Sequence, residues 1–133
     1  QIRANTRSIQ GSSYQDLLIL FQGVNSHAYD KAFNELIFQF LSDSEELSIT
    51  DNARARQYFN NILRNLQHAH LQYTTGNINE KQWRMLSGAI RPYAATPGFI
   101  RLWDGALPGY SRVDPEFADF VSETIKHASA SKS

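Results

Sequence analysis

Cysteine is absent from this chain. Disulfides, thiolate metal sites and cysteine nucleophiles are therefore excluded, although the compartment stays open. A charge excess of either sign is absent too, because thirteen basic and thirteen acidic residues cancel. A neutral chain lacks the electrostatic footprint of a nucleic-acid binder, so no nucleic-acid partner is expected. Long apolar runs are also missing. The longest, Leu17 to Phe21, covers five residues. A bilayer span needs ~18. No Gly-x-Gly-x-x-Gly, Walker or Gly-x-Ser-x-Gly pattern occurs. No catalytic residue, metal ligand or cofactor is assigned, and the chain reads as a non-enzyme.

What is present suits one globular domain. The chain has 133 residues, 41% hydrophobic and 12% aromatic. At this size roughly two-thirds of the unfolded surface can be buried. Residues 1–13 are polar and read as a fraying helical lead-in or a linker. Residues 14–127 read as a single helical domain, and 128–133 as a disordered tail.

Helical spacing begins at Tyr14, Leu17, Leu18, Phe21, Val24 and Ala28. Gly23 weakens this stretch, and a break is expected between Gly23 and Ser26. Tyr29, Phe33, Leu36, Ile37, Phe40 and Leu41 form a second amphipathic stretch that Ser42, Asp43 and Ser44 end. Thr50 or Asp51 is expected to cap the next helix, which runs to Thr75. Along it Ala55, Phe59, Ile62, Leu66, Ala69 and Tyr73 recur with heptad-like spacing. Tyr58 and Leu63 flank that stripe. If the stripe is an interface between copies, changing either residue alters oligomeric mass and leaves the monomer folded.

Gly76 stands where a left-handed residue closes a helix. Asn79 and Gln82 read as a relative of the capping box. Trp83, Leu86 and Ile90 follow, until Pro92 ends the helix. Thr96 and Pro97 start a short helix bearing Phe99, Ile100, Leu102 and Trp103, which Gly105, Pro108 and Gly109 are expected to break. Asp114 and Pro115 start the last helix. These marks predict an all-α, up-and-down bundle of four to six helices around one long central helix.

Few polar groups gather. His68 and His70 point about 200° apart on a helix, so they do not share a face for a metal. His27 and His127 add nothing to either by spacing. Asp43, Glu45 and Glu46 fall in a loop. Glu116 and Asp119 lie in a first helical turn, where negative charge suits the helix dipole. Glu35 reads as a solvated flank. Arg54, Arg56 and Arg64 on the long helix read as a solvated face, as do the scattered Arg84 and Arg112. Arg91 and Arg101 are candidates for a small-anion clamp. The aromatics Trp83, Tyr93, Phe99, Trp103 and Tyr110 are the remaining candidates for ligand or partner contacts, either lining an apolar pocket or filling an ordinary core. Trp103, followed by Asp104 and Gly105, is also a candidate for a surface partner site.

The order of these marks is itself a pattern. The long helix closes on Tyr73, Thr74, Thr75 and Gly76. Ile78, Asn79, Glu80 and Trp83 follow, then Pro97, Gly98 and Trp103, then Phe117 and Phe120. This order, from about Tyr14 to Ile125, resembles a large group of uncharacterised bacterial proteins with one N-terminal transmembrane helix and a small all-helical domain. That group usually carries a second aromatic beside the tryptophan, where this chain has Asp104. The resemblance implies a membrane-anchored protein whose anchor precedes this domain, which accounts for a first residue Gln1. Arg3 and Arg7 then favour the cytoplasmic side. The expected function is a non-enzymatic interaction or sensor-like module, with a protein partner or self-association. The alternative is a small-ligand binding domain with an aromatic-lined pocket.

Overall fold

A computed structural model describes residues 2–24 and 30–131. Those residues form an all-α bundle of six helices with no strand among them. The helices are α1 Ile2–Val24, α2 Lys31–Leu41, α3 Ile49–Thr74, α4 Glu80–Ser87, α5 Pro97–Val113 and α6 Pro115–Ser131, with a 3₁₀ turn at Gly88–Ile90. Expectations that fall on His27, Ala28 and Tyr29, and the far side of the break after Gly23, lie outside the described residues.

The central helix is α3. Its 26 residues extend about 39 Å at 1.5 Å per residue. Ser48 caps it, accepting the Asp51 amide at 3.1 Å, in place of the expected Thr50 or Asp51. Both expected caps lie inside the first turn, where Asp51 still complements the helix dipole. At the other end Gly76 turns the chain with φ +83°. Asn79 and Gln82 then form a complete capping box, each side chain bonding the other's backbone amide at 2.8 and 2.9 Å. Asp114 caps α6 through the Phe117 amide.

Two further expectations are corrected. The helix opened by Pro97 is not short: α5 runs through Gly105, Pro108 and Gly109 to Val113. Pro108 removes one backbone donor on the exposed side, and beyond Gly105 the helix packs Ala106, Leu107 and Tyr110 against the core, which offsets that local cost. Of the two readings of the N-terminal stretch, the helical lead-in is the one the structure has from Ile2 onward. The final stretch is helical through Ser131 rather than disordered from 128. Ala128 and Ala130 favour helix there, and the Ser131 hydroxyl bonds the His127 carbonyl.

Two antiparallel pairings set the architecture. Gln10 reaches the Gly76 carbonyl and Asn65 reaches the Leu20 carbonyl, so α1 runs against α3 in the opposite direction. Trp103 faces Ser122 and Tyr110 faces Phe117, so α5 and α6 form a hairpin. The stripe Ala55, Phe59, Ile62, Leu66 and Ala69 faces inward and is buried. It is the inside of this bundle, covered by the other helices. Leu63 is fully buried in the same core, and Tyr58 packs edge-on against Phe33 and Phe59. Leu63 does not report on an interface, because changing it opens a cavity in the monomer.

One approach is closer than any side chain allows. Gly98, in the first turn of α5, lies on the end of α2. A Cβ placed there would sit 1.9 Å from the Phe40 carbonyl oxygen. Glycine is required here by space, and its backbone φ is ordinary helix.

Candidate functional site

The five candidate aromatics do not converge. Tyr93 and Phe99 belong to a group centred on Phe59, whose ring lies 5.2 and 6.0 Å from theirs. Phe40 stacks on the same ring at 5.6 Å. Trp83 belongs to a second group with Tyr73, His70 and Phe120. Trp103 and Tyr110 join that second group through Phe117. Helix α3 supplies a ring to each: Phe59 to the first, His70 and Tyr73 to the second.

Trp103 is not at the surface, being 2% exposed. Its Nε1 donates to the Ser122 hydroxyl at 3.0 Å, which satisfies the indole inside the hairpin. Phe99 and Trp83 are buried as well, while Tyr93 and Tyr110 are half-buried. Burial raises the Tyr58 phenol above its ordinary value, helped by the neighbouring Tyr93. Burial also raises Tyr110, partly opposed by the Arg64 guanidinium.

The polar candidates separate likewise. His68 is exposed, and His70 is half-buried among Trp83, Phe117 and Phe120. No group of three potential metal ligands occurs among the described residues. Glu35, Glu116 and Asp119 are exposed. Arg91 and Arg101 line different hollows. Arg91 borders a groove beside α6, with Phe120, Glu123 and His127. Arg101 binds the Asp43 carboxylate at 2.5 Å, in the loop after α2.

That loop bounds a small polar cavity where α2, α3 and α5 meet. Asp43, Ser44, Asn52, Arg56 and Arg101 line it, over an apolar floor that includes Phe40 and Leu102. Asp43 stands in the left-handed region with φ +59°, a conformation that aspartate tolerates better than most residues. Arg56 is exposed, as a solvated face requires, and it also borders this cavity. The usable signal was its place one turn after Asn52, near the start of α3.

The outer surface offers a second feature. Phe38 is 72% exposed, at the centre of the outward side of α2. Lys31, Asn34, Glu35 and Gln39 surround it. On α1, Ile9, Ile19 and Leu20 are exposed as well. No helix among the described residues is long and apolar enough to cross a membrane. Comparison with protein-family models, curated proteins and solved structures yields no match to this chain.

Proposed function

We propose that this chain is a non-enzymatic helical interaction module that engages a protein partner, or a second copy, through its N-terminal helices. The observation that carries this reading is Phe38. The opposite side of α2 is spent on the core through Phe33, Leu36 and Phe40, yet a large aromatic remains uncovered on the outside. Large aromatic side chains ringed by polar groups can serve as anchors of protein interfaces. On α1, Ile9, Ile19 and Leu20 are further uncovered apolar groups. Ile49, Leu71, Met85 and Val113 are also exposed, but they are dispersed over α3, α4 and α5.

The proposal includes a membrane tether ahead of α1, as the resemblance implies. Residues 3–9 of α1 are all exposed, and Gln10 already meets Gly76 at the end of α3. The first turns of α1 therefore project about 12 Å beyond that end. Arg3 and Arg7 lie on that projection, which suits a cytoplasmic membrane surface.

The test is the solution mass of the wild-type chain and of Phe38→Glu across a concentration series. If the partner is a second copy, the wild type forms a larger species that the variant does not, and both melt at similar temperatures. A wild-type monomer at every concentration removes self-association. Loss of folding in Phe38→Glu would show that Phe38 belongs to the core, which would contradict the proposal.

A further inference from the structure

We propose that the polar cavity between α2, α3 and α5 is a binding site for a small tetrahedral oxyanion of the phosphate or sulfate type. Three properties of the cavity carry this. First, its size: about 40 Å³, room for roughly three waters. A single phosphate-sized group fits there, and a nucleotide does not. Second, its charge. Two guanidiniums, Arg56 and Arg101, line the cavity against one carboxylate, Asp43, so the site keeps one positive charge uncompensated.

Third, its donors. Asp43 occupies only the Nη2 end of Arg101, which leaves the rest of that guanidinium fork able to donate. Arg56 makes no hydrogen bond or ion pair among the described residues. Ser44 and Asn52 add a hydroxyl and an amide to the same lining. Planar guanidinium forks and neutral donors around a small hollow are the chemistry that holds a compact oxyanion. Of the two clamp candidates Arg91 and Arg101, only Arg101 lines this cavity, and Arg56 is the second guanidinium.

Helix packing keeps the site in place. Gly98 fixes the end of α2 against the start of α5, and Ser48 fixes the start of α3. An anion in the cavity would join all three helices. It would stabilise the fold by mass action, since the unfolded chain has no such site.

The experiment is thermal unfolding and calorimetric titration of the chain with inorganic phosphate and sulfate. Sodium chloride at matched ionic strength and a phosphomonoester serve as comparisons. Phosphate and sulfate are expected to raise the melting temperature, with no equal rise in chloride. A phosphomonoester that raises it as well identifies the source as a phosphoryl group presented from outside. One that does not identifies the free ion. Arg56→Gln is the informative variant, because Arg56 has no described partner to lose, and it should weaken phosphate binding about tenfold or more. Arg91→Gln should bind as wild type does. No shift beyond that of chloride would overturn the proposal, as would an Arg56→Gln protein that binds phosphate unchanged. Neither result bears on the Phe38 surface.

Discussion

The aromatic end of the bundle and the corner beneath Gly98 both pack rings on the same central helix, but only the corner adds a close backbone approach and a polar hollow. At the aromatic end, α3 gives His70 and Tyr73 to a chain of rings from α4, α5 and α6. Its polar atoms are few, and Trp103 satisfies its own on Ser122. At the corner the Phe40, Phe59 and Phe99 rings also pack, but α5 meets α2 backbone on backbone, and charged and polar side chains surround a hollow. The first arrangement is stabilised by buried area and tolerates small shifts of shape. The second depends on a missing side chain and has room for a guest. A fold can thus be closed at one end and receptive at the other without a loop domain to divide them.

Three substitution series sharpen this comparison. The largest effect is expected from Phe117→Ala at the aromatic end. Phe117 is fully buried against Tyr110, His70 and Phe120. Its truncation should cost about 3–5 kcal/mol in denaturant unfolding. A cost under about 1 kcal/mol would mean that this end is loosely packed. Next is Gly98→Ala at the corner, where a methyl group would collide with a backbone carbonyl rather than a movable side chain. Overpacking of this kind costs about 1–3 kcal/mol or more. An unchanged melting temperature would show that α2 and α5 are further apart than the structure has them.

The smallest effect is a pH dependence that spans both regions. Tyr58 lies beside the corner and Tyr110 at the aromatic end, and burial raises both phenols above the ordinary value of 10.0. A raised folded value favours the neutral form in the native state. The resulting stability is complete below the unfolded value and is lost as pH rises through the folded one. Stability should therefore fall in the alkaline range above about pH 10. Tyr58→Phe and Tyr110→Phe should each flatten that fall. An alkaline fall unchanged in both variants would exclude these two phenols as its source.

Much of this architecture could be read from its punctuation. Gly76, the Asn79–Gln82 box, Pro97 and the Asp114–Pro115 pair mark helix boundaries through local backbone chemistry, which needs no neighbour. The extent of α5 could not be read that way. Gly105, Pro108 and Gly109 are strong local breakers, and tertiary packing of Ala106, Leu107 and Tyr110 outweighs them. The cap of α3 was misplaced for a simpler reason: Ser48, Thr50 and Asp51 are all competent caps, and spacing alone does not choose. The corner was least legible. Nothing local marks Gly98 as a point of close approach, and sequence order hides that Arg101 lines one cavity with Arg56 while Arg91 borders another groove.

The central claim is that the α3 stripe is interior and the outer side of α2 is the surface available to a partner. The absence of native cysteine allows a direct measurement: the thiol reactivity of two single-cysteine variants, Phe38→Cys and Leu63→Cys, under native conditions at low protein concentration. The account predicts rapid modification of the thiol at position 38, near the rate of an unfolded chain. It predicts protection of the thiol at 63 that is lost only when the protein unfolds. Equal native reactivity at both positions, or protection at 38 in the dilute monomer, would contradict it.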